Sequence, residues 1–199
     1  MIETELKLEL AFQLIDKIGV GFMNNLSYKE RGEAARLGQY PYIPVQANRL
    51  INRFIEVDKY LKSPGNKIKF LDAGCGIGIP SVLAKVLGWE PFGIDINPTI
   101  LAFAKVLNWE HKDNFKVADI LTYPNYKDFD IIYYYKPFNT GEGQEKFDRL
   151  IENEAKIGAV IIPVDRFDTD IFKDNKFKEF KLKTDDGIPF NSFFQKVKE

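Results

Sequence analysis

Phe70-Leu71-Asp72-Ala73-Gly74-Cys75-Gly76-Ile77-Gly78-Ile79 is the stretch whose reading decides the fold. An apolar run reaches an acid, three glycines follow at alternate positions, and a second apolar run begins. This reads as a strand entering a tight turn that opens a helix. Glycine carries no side chain, so a ligand can lie against bare backbone. The N–H groups at the start of the helix face the same space. The competing reading is a turn that binds nothing. Three alternating glycines are a costly way to build one, because glycine gives up more entropy on ordering than other residues.

Spacing separates the families that use such a turn. A dinucleotide fingerprint, G-x-G-x-x-G, requires glycine at position 79, where this chain has Ile79. The pattern present from Asp72 to Gly78 is D-x-G-x-G-x-G. It resembles motif I of the class I S-adenosylmethionine (SAM)-dependent methyltransferases. The resemblance implies SAM as cofactor and a Rossmann-like domain.

Composition bounds the remainder. The chain has 199 residues, a 45% hydrophobic fraction and a formal net charge of −1. That supports one ordinary α/β domain, and nothing global points to a polyanion. Seventeen Phe and nine Tyr indicate a packed interior. Cys75 is the one cysteine in the sequence, so a disulfide framework and Cys-based zinc sites are excluded. A reducing cytoplasm fits. The opening Met1-Ile2-Glu3-Thr4-Glu5 is acidic where a signal peptide would be basic, and no apolar run approaches membrane-spanning length.

Periodicity gives the elements. Leu6, Leu10, Leu14 and Ile18 step by four residues and predict a helix over 3–18 that ends at Gly19 and Gly21. Ser27 to Glu30 has capping-box spacing, predicting a short helix over 28–36. The prolines of Tyr40-Pro41-Tyr42-Ile43-Pro44 predict an extended loop. Leu50, Phe54, Val57 and Leu61 mark another helix. From 67 the rhythm becomes β-α-β-α, with strands expected over 68–73, 91–96, 115–120, 130–135 and 159–164. The strands are nearly continuous in apolar residues, as in a parallel sheet covered on both faces. Phe180 and Leu182 alternate with Lys181 and Lys183, and turn residues follow, which predicts a C-terminal β-hairpin. The expected fold is therefore α/β, a three-layer sandwich. Its mostly parallel sheet is closed by that hairpin, a completion that the resemblance implies. Residues 1–66 are expected to cap a core formed by 67–199.

The cofactor residues follow in chain order. Gly74, Gly76 and Gly78 give the amino-acid part and the ribose access to backbone, and Asp72 is placed to receive the SAM ammonium. Asp95 lies 21 residues beyond Gly74, near the offset at which an acid binds ribose hydroxyls in nucleotide βαβ units. Its competing role is a helix N-terminal acid. The resemblance places the adenine against Ile96, with Asp119 accepting from its amino group and Ile120 beside the ring. Asp119 read without the resemblance is a loop cap. Tyr135, Lys136, Pro137 and Phe138 occupy the place of the Asn/Asp-Pro-Pro-Tyr/Phe motif of amine and glutamine methyltransferases. Tyr135 and Lys136 depart from it, which argues against those targets while leaving a wall for the transfer site.

Tyr42-Ile43-Pro44-Val45, with Asn97-Pro98, resembles a segment of some protein-lysine methyltransferases over a few residues. It suggests Tyr40 and Tyr42 as a lid, with a plain loop as the alternative. His111 sits in a polar connection and reads as a solvated residue. No metal-ligand pattern stands out, and no catalytic base is identified. The reading is a SAM-dependent methyltransferase acting on an N, O or C nucleophile of a small molecule or protein, with nucleic acid and membrane not expected. Its rivals are an NAD(P)-dependent oxidoreductase and a SAM-binding module without transfer. The oligomeric state stays open.

Overall fold

A seven-stranded sheet in the order β3-β2-β1-β4-β5-β7-β6 organises the molecule. The structure, a computed structural model, describes residues 17–18, 21, 47–61, 67–138, 141–164, 171–181 and 192–199. The expected helix over 28–36, the 39–44 loop, and all but the end of the 3–18 helix lie outside the described residues. Gly21, expected to end that first helix, is itself helical.

Helix α1 (Ala47–Leu61) precedes β1 (Lys69–Ala73), α2 (Ile79–Val86), β2 (Glu90–Asp95), α3 (Pro98–Leu107) and β3 (Phe115–Val117). Then come β4 (Ile131–Tyr135), α4 (Gly141–Glu154), β5 (Val160–Val164), β6 (Phe177–Lys181) and β7 (Ser192–Lys196). The first five strands run parallel, and β7 is antiparallel to both β5 and β6. The paired β6 and β7 are the expected hairpin strands, with Phe180 opposite Phe193.

Strand alternation divides the core. Ile131 and Tyr133 of β4 face one layer with Phe54, Phe70, Leu83 and Trp89. Ile132 and Tyr134 face the other, with Leu71, Phe147 and Ile151. Helix α1 seals the first layer through Phe54, fully buried, whose ring centroid lies 5.2 Å from Phe70 and 5.6 Å from Tyr133. Full burial of one such ring stabilises by about 1.5–3 kcal/mol. Farther along α1, Tyr60 packs 4.3 Å from Phe180 and donates its hydroxyl to Gln195 at 2.6 Å, joining the helix to the hairpin.

Strand β3 ends at Val117, three residues short of the expected 120. It is an edge strand with one neighbour, and Lys116 and Val117 are exposed. Asp119 then bends the chain, its Oδ1 accepting from the Leu121 N–H at 2.9 Å. Gly93 of β2 makes the β2–β3 contact possible, since a Cβ there would stand 2.4 Å from the Phe115 ring.

Candidate functional site

Strand β1 has β2 on one side and β4 on the other, so the chain reverses direction across the sheet between β1 and β4. Open α/β sheets bind ligands at such a reversal, beyond the carboxyl ends of the strands. The glycine turn, Asp95 and the exit of β4 all lie there.

The three glycines adopt positive φ, 77° at Gly74, 53° at Gly76 and 76° at Gly78. Gly74 and Cys75 both donate backbone N–H to Ile94 O at 2.9 Å, which ties the turn to β2. Asp95 completes the tie. Its Oδ2 accepts from Gly76 N–H at 2.9 Å, and its Oδ1 accepts from Asn97 N–H at 2.8 Å. Asn97 in turn caps α3, its Oδ1 accepting from Thr99 and Ile100 at 2.9 and 3.2 Å. Asp95 therefore builds the turn, while the cap of α3 is Asn97.

The glycines are not equivalent. A Cβ on Gly74 would meet nothing closer than Pro137 Cβ at 3.8 Å. A Cβ on Gly78 would stand 2.7 Å from Asn108 Nδ2 and 3.1 Å from Ala104 Cβ. At Gly78 the missing side chain makes room for α3. Asn108, fully buried, donates Nδ2 to Gly78 O at 3.2 Å and to Ala104 O at 3.0 Å. The sequence reading missed Asn108, because nothing in a lone Asn after an apolar helix marks a contact 30 residues back.

Asp72 is 2% exposed. Ser81, in the first turn of α2, donates its hydroxyl to Asp72 Oδ2 at 3.3 Å. Burial pushes the Asp72 carboxyl well above the usual carboxylate range, and the negative Asp95 adds to the rise, against the Ser81 hydrogen bond. Burial also raises Asp95, while the N–H groups of Asn97 and Gly76 pull it down. The buried Cys75 thiol is pushed up by burial and by both acids, which leaves it inert as a nucleophile.

Beside Asp95, Ile96 is 45% exposed, and Val117 at the end of β3 is 56% exposed. Two apolar side chains thus stand open at the sheet edge near the exposed Asp119. Val117 was not singled out from sequence, since only the early end of β3 brings it to the rim. Ile120 points into the second core layer, and its carbonyl accepts from the Tyr126 hydroxyl at 2.6 Å. Its side chain is therefore unavailable to a ligand, leaving its backbone for the role the resemblance implied.

The tyrosine run splits by face. Tyr133 and Tyr134 are core residues, and Tyr134 donates to the buried Asp148 at 2.6 Å. Tyr135 is half-buried at the strand end. Lys136 has φ 39°, the left-handed region that a non-glycine residue rarely adopts, while its N–H holds Val164 O at 3.0 Å. The sharp exit brings Pro137 beside Gly74. His111 follows α3 at the opposite edge of the sheet. Tyr40 and Tyr42 lie outside the described residues. Among the described residues no group of three His, Cys, Asp or Glu is placed to hold a metal, and no helix is long and apolar enough to cross a membrane.

Residues 71–157 match the family model described as a methyltransferase domain. The matched segment, less than half of the chain, resembles that family. The methyltransferase fold recurs in solved structures. An RNA methyltransferase from Salinibacter ruber, in complex with S-adenosyl-L-homocysteine, is 15% identical over 75% of this chain and 91% of its own, with a TM-score of 0.53. The ribosomal protein L11 methylase of Lactobacillus delbrueckii subsp. bulgaricus is 13% identical over 74% of this chain and 78% of its own, with a TM-score of 0.52. The PH0226 protein of Pyrococcus horikoshii OT3 is 23% identical over 58% of this chain, with a TM-score of 0.47. The chain spans about half the length of that protein, 52%. At these identities the likeness is one of fold. No curated protein sequence matches the chain.

Proposed function

We propose that the chain is a SAM-dependent methyltransferase that methylates an N, O or C nucleophile of a small molecule or a protein side chain. One observation carries the reading: a carboxylate at the chain reversal, Asp95, is bound to the N–H of a positive-φ glycine in a D-x-G-x-G-x-G turn. Each Asp95 oxygen takes one backbone N–H and retains acceptor capacity for a ribose hydroxyl. Asp72 receives the cofactor ammonium. Ile96 and Val117 enclose the adenine faces, and Asp119, whose Oδ1 already holds Leu121 N–H, uses its other oxygen for the amino group.

When bound, SAM supplies a methyl group on an electrophilic sulfonium. The chain then has to align the acceptor and exclude water. Tyr135, Lys136 and Pro137 wall the acceptor side, next to Gly74. The expected cap of residues 1–66 and the lid of Tyr40 and Tyr42 fall largely outside the described residues. A cytoplasmic setting fits the single buried thiol, and neither nucleic acid nor membrane is expected as a partner. Calorimetric titration tests the reading: SAM and S-adenosylhomocysteine bind, and NADH does not. Binding of NADH without SAM overturns it.

A further inference from the structure

The turn gathers two acids and a thiol. Asp72 from β1, Asp95 from β2 and the Cys75 thiol interact electrostatically. Among the described residues no basic side chain forms an ion pair with either carboxyl. Among the described residues, Ser81 of α2 reaches Asp72, and its register neighbour on β4 is Tyr133.

The two carboxyls are solvated unequally. Asp95 accepts two backbone N–H groups at 2.8 and 2.9 Å. Asp72, more deeply buried, is met by Ser81, through its hydroxyl at 3.3 Å and, more weakly, its backbone N–H. A buried carboxylate so poorly compensated neutralises by taking up a proton. The cationic end of a SAM-type ligand is the compensation that the fold omits.

We propose that Asp72 is protonated in the ligand-free protein and releases that proton to solvent when the cofactor's ammonium seats beside it, with Ser81 as the positioning residue that sets the pH of the exchange. The proposal rests on the methyltransferase reading. The sign follows from linkage. The Asp72 carboxyl titrates high in the free protein and lower in the complex, so affinity rises with pH between the two values. Above the free-protein value it levels off. Cofactor capture thereby becomes sensitive to pH at a site with no histidine.

The test is calorimetry of SAM and S-adenosylhomocysteine binding to the full chain, in paired buffers of different ionisation heat. Working below pH 7 keeps the ligand's own ammonium fully charged. The expected result is release of up to about one proton per ligand, with affinity climbing by up to about tenfold per pH unit. Asp72→Asn abolishes the release and flattens the pH profile. Ser81→Ala retains the release and moves its window to higher pH, which a merely structural hydroxyl would not do. Binding without proton exchange, or release that persists in Asp72→Asn, overturns the proposal while leaving the methyltransferase reading intact. Failure of both ligands to bind overturns the two together.

Discussion

Alanine substitution of Gly78 and of Gly74 separates two demands that the sequence motif merges. Both residues have φ near 77°, at 76° and 77°, where an alanine costs about 1–2 kcal/mol. The surroundings differ. At Gly78 the new Cβ meets Asn108 Nδ2 at 2.7 Å and Ala104 Cβ at 3.1 Å. Asn108 is fully buried and held by two carbonyls, so it cannot swing away without losing both hydrogen bonds. Overpacking of this kind adds about 1–3 kcal/mol. Gly78→Ala is therefore expected to lose about 2–5 kcal/mol, the sum of strain and overpacking. Gly74→Ala, whose Cβ makes only an ordinary contact with Pro137 at 3.8 Å, is expected to lose about 1–2 kcal/mol, the strain alone. Urea unfolding followed by circular dichroism measures both at unchanged m. S-adenosylhomocysteine affinity is expected to order the other way, with Gly74→Ala losing more, because its methyl group occupies the side of the turn facing the β4 exit. Equal stability losses, or a larger one in Gly74→Ala, would refute the assignment of Gly78 to helix packing.

Asp95→Ala removes an acceptor for the proposed ribose and for Gly76 N–H, and is expected to weaken S-adenosylhomocysteine binding by about 2–4 kcal/mol. Unchanged affinity by calorimetry leaves Asp95 as a turn-building residue alone. Tyr134→Phe withdraws a donor from the buried Asp148, which also accepts from Gln144 Nε2 at 2.8 Å, and is expected to cost about 1.5–3 kcal/mol in urea unfolding without altering cofactor affinity. Hydrogen exchange over 38–46 is expected to slow on S-adenosylhomocysteine binding if Tyr40 and Tyr42 close the site. Protection confined to 72–80 rejects the lid.

The β1-turn-α2 unit was legible because its signal is local: apolar runs give the strand and helix, and no other pattern explains glycines at 74, 76 and 78. The later strands were legible for the same reason, their faces buried on both sides. What escaped the sequence depends on contacts between distant segments. Asn108 meets Gly78 only because α3 packs along the turn, and Ser81 meets Asp72 only because α2 starts above β1. The end of β3 was misplaced since Ala118 to Ile120 continue an apolar pattern, while an edge strand with one partner stops where Asp119 turns the chain. The tyrosines at 133–135 carried no orientation until strand register assigned two of them to opposite core layers. The acceptor pocket had no local signature, because it is assembled from the ends of several segments.

The clasp between Tyr60 and the hairpin bears on synthesis at the ribosome. Tyr60 and its acceptor Gln195 are 135 residues apart in sequence, and Phe193 of the same aromatic group lies near the end of the chain. At typical elongation rates that separation is about 7–27 s of translation. During that interval α1 can settle on Phe70, Trp89 and Tyr133, which emerge earlier, while its Tyr60 end has no aromatic surface to close on. Vectorial folding thus leaves this protein half-clasped until Phe193 and Gln195 clear the exit tunnel, and a stall shortly before Phe193 would present that open seam to chaperones and proteases.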